Sequence, residues 1–305
     1  MTVDQPLISV IVPHLNQPRE LEACLSSLDA QSLDRRRFEV IVVDNGSTTY
    51  PERVVMRHSG TRLFKEIAPG PGPARNTGVR HAEADVFAFI DADCRAHRLW
   101  LETALQTIRH ERERTILGGD VRIWRDDETR FTAIEAYESV FSYRFKHYIE
   151  RQGFSGTGNL IVRRADFEAV GSFAGIQIAE DLEWGRRARA AGRQFLYVED
   201  LIVFHPARST LTALYAKWDR LIHHSFNMTK GTGLWRIRWV LRALAIFASP
   251  FVDFTKVLRS ERVSGVWPKL KATMILFAVR SYRARKMLAL LRERQTLTWN
   301  QQTEA

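Results

Sequence analysis

The chain has 305 residues and only two cysteines, Cys24 and Cys94, in unrelated segments. They fit no metal-binding spacing and no disulfide framework, so a reducing compartment with both thiols free is expected. Uninterrupted apolar stretches of the roughly 20 residues that a spanning helix requires are missing. Trp239–Val252 is interrupted by Arg242, and Thr273–Val279 is bracketed by Lys271 and Arg280. The amino terminus lacks the basic and apolar regions of a signal peptide, which makes the cytoplasm the expected location. There is no Walker or Rossmann glycine pattern, no internal repeat and no low-complexity segment.

Acidic residues are scarce in one region only. Residues 1–205 carry 27 Lys+Arg against 30 Asp+Glu, whereas residues 206–305 carry 18 against 5. The net charge of +10 therefore belongs to the last third. Basic segments suit an anionic membrane or nucleic acid. Here Trp218, Trp235, Trp239 and Trp267 stand beside Arg and Lys within helical patterns. Apolar faces with aromatic and basic flanks describe helices lying in a membrane interface. The alternative is a helical bundle packed on the main domain with a solvated basic face. No nucleic-acid recognition motif is present, so no nucleic-acid partner is expected.

The first two-thirds alternate apolar runs with helical patterns. Leu7–Val12, Phe38–Val43, Val86–Ile90, Ile116–Val121, Asn159–Val162, Phe195–Val198 and Leu201–Phe204 read as strands. Arg19–Ala30, Pro73–Ala82, Leu99–His110 and Glu180–Ala191 read as helices, and aromatic-rich Phe131–Tyr148 as a helix flanking a cleft. Such βαβ alternation predicts an α/β fold with a mixed, mostly parallel sheet flanked by helices. The expected division is an α/β domain over 1–206, a basic amphipathic helical extension over 207–295 and a disordered tail over 296–305.

Five apolar residues, Val86–Ile90, run into Asp91-Ala92-Asp93. Two carboxylates at the carboxyl end of a buried strand lie where open α/β sheets bind ligands. They read either as an acidic turn or as ligands for a hard divalent cation such as Mn²⁺ or Mg²⁺. Asp44, before Asn45-Gly46-Ser47, reads as a turn residue or as an acceptor for a base or ribose. Arg75 opens a helix after the stiff loop Pro69–Pro73 and would suit a phosphate. Glu180 and Asp181 begin a helix after the loop Gly171–Gln177, favoured there by the helix dipole or as a general base facing the cleft. Glu183 and Arg187 stand four apart and should pair. His205 is either structural or a contributor to an oxygen-rich metal site.

In order and approximate spacing, Ile8–Asn16 (ISVIVPHLN), Phe38–Ser47 (FEVIVVDNGS), Pro73–Gly78 (PARNTG), Val86–Asp93 (VFAFIDAD), Glu180-Asp181 and Val203-Phe204-His205 resemble the family-2 glycosyltransferases of the GT-A, Rossmann-like fold. The resemblance covers residues 6–206. It implies a nucleotide-sugar pocket that includes Pro13, Asn16, Asp44, Arg75, Asn76, Asp91 and Ala92, with Arg75 near the diphosphate. It implies metal contacts from Asp93, Asp91 and His205 to Mn²⁺ or Mg²⁺, with Asp181 as general base and Glu180 its neighbour. The implied reaction is inverting, non-processive transfer of one sugar from a nucleotide diphosphate sugar to an acceptor hydroxyl. The Gln-x-x-Arg-Trp motif of processive synthases is absent after Asp181. Where the family commonly has a small residue, an aromatic and Asn, this chain has His14, Leu15 and Asn16. With the basic extension, the expected acceptor is a polyprenyl-pyrophosphate-linked saccharide of a bacterial surface polysaccharide. It would be met at the inner face of the cell membrane. A soluble or protein acceptor, and a GT-A-like nucleotidyltransferase, are the alternatives.

Overall fold

The computed structural model describes residues 5–176, 179–231 and 233–292. Gln177 and the expected tail 296–305 lie outside the described residues. In chain order the elements are β1 (Ile8–His14), α1 (Pro18–Asp29), β2 (Phe38–Asp44), α2 (Glu52–Val55), β3 (Thr61–Lys65) and α3 (Pro71–His81). Next come β4 (Val86–Phe89), β5 (Arg95–Ala96), α4 (Trp100–His110), β6 (Thr115–Trp124), α5 (Ala133–Phe141) and α6 (Phe145–His147). The chain continues through β7 (Leu160–Arg163), α7 (Arg164–Val170), α8 (Glu180–Ala190) and β8 (Gln194–Pro206). It closes with α9 (Leu211–Thr229), α10 (Trp235–Ala248), α11 (Pro250–Arg259) and α12 (Val266–Ala289).

Two compact units result, residues 1–122 with 143–206, and residues 123–142 with 207–305. Residues 123–142, expected within the α/β domain, group instead with the carboxyl-terminal helices. In the first unit the eight strands form one mixed sheet in the order β3-β2-β1-β4-β7-β6-β8-β5. β3, β2, β1 and β4 are parallel, and β7 runs antiparallel to both β4 and β6. β3 and β5 were not anticipated, because half-buried TRLFK and a two-residue strand carry too little apolar signal.

Alternation along β1 sends Val10 and Val12 into a core with Leu21, Leu25, Trp100 and Leu101. Ile11 faces the opposite side, with Phe87, Phe89, Phe167, Phe173 and Trp184. Buried on both sides, these strands need the continuous apolar runs that made them readable. The chain turns outward from β1 to β2 and β3, then crosses to β4 on the other flank of β1. This reversal is the place where open α/β sheets form a ligand crevice. Pairing of β1 with β4 ends at Ile11↔Phe89, so Pro13 needs no amide hydrogen toward β4.

The second unit consists of α5 and α9–α12. A capping box, with Thr132 accepting from the Glu135 amide and Glu135 accepting from the Thr132 amide, starts α5. The helix expected over Phe131–Tyr148 instead ends at Phe141, because Ser142 is extended and Tyr143 has φ +50°. Glu138 is fully buried, and accepts from Arg208 Nη1 at 2.6 Å and from Ser142 Oγ at 3.0 Å. Burial raises its pKa, but Arg208 and Lys217 outweigh that and hold it below the usual range. Trp239 Nε1 donates to the Met287 carbonyl at 2.7 Å, joining α10 to α12. Pro250 separates α10 from α11, so the apolar run 239–252 is two helices. Among the described residues, no helix is long and apolar enough to cross a membrane.

Candidate active site

The site grows from the carboxyl ends of β1, β2 and β4, the amino-terminal turns of α3 and α8, and the end of β8. Arg75, at the start of the second turn of α3, is almost wholly buried. Its Nη2 donates to Asp91 Oδ1 at 2.7 Å and its Nη1 to Glu180 Oε1 at 3.1 Å. Burial lowers its pKa, yet the charges of Asp91, Asp181 and Glu180 prevail and raise it. One guanidinium therefore ties the first aspartate of Asp91-Ala92-Asp93 to the Glu180-Asp181 pair. Gly158 lies close beneath Asp91, where an added Cβ would sit 2.9 Å from Oδ2.

Asp181 accepts from Thr157 Oγ1 at 2.8 Å. Burial pushes its carboxyl up to about 6, opposed by the Arg75 charge and assisted by that of Glu180. A carboxylate tuned toward neutrality is a suitable proton acceptor near physiological pH. The Glu183–Arg187 pair forms as expected, at 2.6 Å.

Asp93 Oδ2 lies 3.1 Å from His205 Nε2. His205 Nδ1 is 2.7 Å from the Pro206 carbonyl. A carbonyl only accepts, so Nδ1 carries hydrogen and, in the neutral ring, Nε2 presents its lone pair toward Asp93. Burial favours neutral His205, but the Asp93 contact outweighs it and raises the pKa. Burial raises Asp93, and the same contact reverses that and lowers it. An imidazole nitrogen and a carboxylate oxygen converging in this way fit a divalent cation of the Mn²⁺ or Mg²⁺ kind. Cys94 Sγ belongs to the same cluster, but its buried thiol is held well above its usual range, first by burial and then by Asp93. That makes it a poor ligand for a hard ion.

Asp44 closes β2, almost inaccessible to solvent. Its Oδ2 accepts from the amides of Gly46 and Ser47 at 3.2 and 3.1 Å, and its Oδ1 meets His14 Nδ1 at 3.0 Å. The Gln17 amide donates to His14 Nε2, so the hydrogen on Nδ1 is directed to Asp44. Burial opposes ionisation of Asp44, and the bonds from Ser47 and His14 overcome it, leaving its pKa lowered. Asn16 has φ +53°, accepts from the Thr48 amide and donates its own amide to Ser47 Oγ. Leu15 is exposed beside it. Ala92 is buried, and Pro13 is half-buried at the end of β1.

Asn76 has a different task. Its Nδ2 donates to the Phe173 carbonyl and its Oδ1 accepts from the Phe173 amide, both at 2.9 Å. Trp184 Nε1 donates to the Gly171 carbonyl, so the loop before α8 is clamped from two helices. Gly72 makes the approach possible, because a Cβ there would stand 2.1 Å from the Ala174 carbonyl oxygen. Gly72→Ala is expected to lower stability by about 1–3 kcal/mol, whereas Gly175, where an added Cβ would meet nothing within 4 Å, should tolerate alanine. Thermal unfolding of the two variants checks this; equal melting temperatures would refute the docking.

Sequence reasoning did not single out Tyr143, Thr157 or Asn159. Tyr143 lays its ring 4.5 Å from that of His205 while holding a positive φ, an unusual combination for a bulky residue. Asn159, fully buried, donates to the carbonyls of Asp120 and Leu201 and accepts from Trp100 Nε1. The segment Gly156-Thr157-Gly158-Asn159 offers only a Gly-rich turn to a reader of sequence.

Residues 9–171 match the family model described as Glycosyl transferase family 2, and the chain belongs to that family. Glycosyltransferase AglE of Haloferax volcanii is 33% identical over 237 residues, covering 76% of this chain and 74% of that protein. A shorter match, 30% identical over 107 residues, covers 34% of this chain and 40% of the Escherichia coli UDP-Glc:alpha-D-GlcNAc-diphosphoundecaprenol beta-1,3-glucosyltransferase WfgD. The mannosyltransferase PcManGT of Pyrobaculum calidifontis, solved with GDP-Man and Mn²⁺, superposes with a TM-score of 0.60 at 18% identity. It covers 95% of this chain and 88% of that one, a likeness of fold. The fold is thus GT-A-like and the protein a glycosyltransferase, which sets aside the nucleotidyltransferase alternative.

Proposed function

We propose that this glycosyltransferase moves a single sugar, with inversion, from a nucleotide diphosphate sugar to an acceptor hydroxyl, with Asp181 as the base. The observation that carries the proposal is the link from Asp91 through the buried Arg75 to Glu180, beside an Asp181 raised to about 6. Asp181 takes the acceptor proton as the hydroxyl oxygen attacks the anomeric carbon from the face opposite the diphosphate. Thr157 orients one Asp181 oxygen, leaving the other for the acceptor. Asp93 and His205, with Asp91 adjoining, would hold the divalent cation. When bound, that ion supplies Lewis-acid neutralisation of charge on the departing diphosphate. Asp44 and Asn16 shape the nucleoside end, and Pro13 and Ala92 its floor.

The acceptor proposed is a polyprenyl-pyrophosphate-linked saccharide, extended for a bacterial surface polysaccharide at the cytoplasmic face of the membrane. The diphosphoundecaprenol acceptor in the Escherichia coli relative's name supports this reading, as does the surplus of 18 basic over 5 acidic residues in 206–305.

The test is a screen of nucleotide sugars for binding and hydrolysis with Mn²⁺ and Mg²⁺. Chelation and Asp93→Ala are each expected to abolish turnover, with Mn²⁺ restoring it to the chelated enzyme only. Undiminished activity in chelator would remove the cation from the proposal.

A further inference from the structure

In the second unit α10 and α12 are apolar on two sides. On α10, Trp239 and Ala243 are buried, while Ile237, Leu241, Leu244 and Phe247 form a second row at spacings of four, three and three, all more than half exposed. α12 repeats the arrangement, with Ala272, Leu276 and Val279 inside and Trp267, Leu270, Met274 and Phe277 outside. Phe251 of α11 meets Phe277 edge to face at 5.4 Å, so the rows of α11 and α12 adjoin. A surface helix normally turns only one stripe to its core, and contiguous exposed apolar area marks an interaction site.

Charge identifies the occupant. Between Trp235 and Ala289 there are twelve Lys and Arg and two acids, Asp253 and Glu261. Asp253 is buried and paired with Arg280. Arg236, Arg238, Arg259, Arg262 and Lys271 are all exposed. A second copy of the chain would set this cationic rim against itself. An anionic bilayer satisfies both the apolar rows and the rim, with Trp267, 73% exposed, at the depth tryptophan prefers. We infer that the outer face of α10, α11 and α12 lies in the interfacial layer of an anionic membrane, without crossing it. This deepens the membrane location proposed above and rests on it.

The experiment is sedimentation of the full chain with vesicles of phosphatidylglycerol and phosphatidylcholine, or of phosphatidylcholine alone. The wild type is expected to bind the anionic vesicles more tightly. Leu241→Glu combined with Phe251→Glu should weaken binding by about tenfold or more. The control pair Met56→Glu and Ile67→Glu, still more exposed and on the first unit, should leave it unchanged. Because both native cysteines are buried, an environment-sensitive dye on Leu241→Cys should shift to the blue on anionic vesicles. If the wild type binds but neither face variant nor dye responds, the face is wrong and the membrane location stands. If the wild type binds neither vesicle, both fall. Lipid-free dimerisation abolished by Leu241→Glu would assign the face to a second copy instead.

Discussion

Asp181→Asn is expected to lower kcat by about 10²–10⁴-fold, the usual contribution of a positioned base, while donor affinity stays near that of the wild type. Asparagine keeps the shape and can still accept from Thr157, as Asp181 does at 2.8 Å, but it cannot take a proton. Calorimetric titration with the nucleotide sugar, beside turnover measured on a defined acceptor, separates the two quantities. The pH profile gives an independent reading. The active form of Asp181 is the carboxylate, and its pKa is pushed up to about 6. Log kcat/KM should therefore rise with pH through about 6 and level off above it. That limb should vanish in the residual activity of Asp181→Asn. A variant with near-wild-type kcat, or with an unchanged acid limb, would exclude Asp181 as the base.

Arg75→Met carries the largest expected loss of stability, at most about 3–5 kcal/mol, the cost of removing one partner from a fully buried ion pair, and less to the extent that water screens the partly exposed Asp91. The side chain is only 3% exposed and meets two carboxylates. Without it, Asp91, Glu180 and Asp181 face one another uncompensated. Arg75→Lys should recover only part of the loss, because one ammonium cannot reproduce a fork that reaches two carboxylates in fixed directions. Arg75 also lowers the Asp181 pKa by its charge, so in any folded Arg75→Lys or Arg75→Gln preparation the acid limb should move to higher pH as that charge weakens or disappears. Denaturant midpoints measure the first effect and pH profiles the second. An Arg75→Met midpoint equal to the wild type would mean that the pairs contribute nothing to the fold.

Much of the architecture was readable because sheet strands buried on both faces need uninterrupted apolar residues. Leu7–Val12, Phe38–Val43 and Val86–Ile90 each fall within a strand to within one residue or so. The helix expected over 131–148 stops early, at Phe141, for a reason the sequence hides. It carries no Gly or Pro to mark its break, and Tyr143 takes a left-handed conformation in a setting that local propensity does not reveal. The motif order Asp44, Arg75, Asp91, Asp93, Asp181 and His205 was likewise legible, since each polar residue follows an apolar run or opens a helix.

The sequence by itself determined the α/β class, the family resemblance, the identity of the acidic motif residues and the confinement of positive charge to the last third. All of these are properties of order and spacing along the chain. Only the tertiary structure decided which residues meet. Arg75 joins Asp91, 16 positions away, to Glu180, 105 positions away. Asn76 clamps a loop that the resemblance would not have connected to it. The outward rows of α10 and α12 became visible only once their inner rows were buried. Periodicity records that a helix has apolar sides; packing alone determines which side finds a partner in the protein and which is left for another phase.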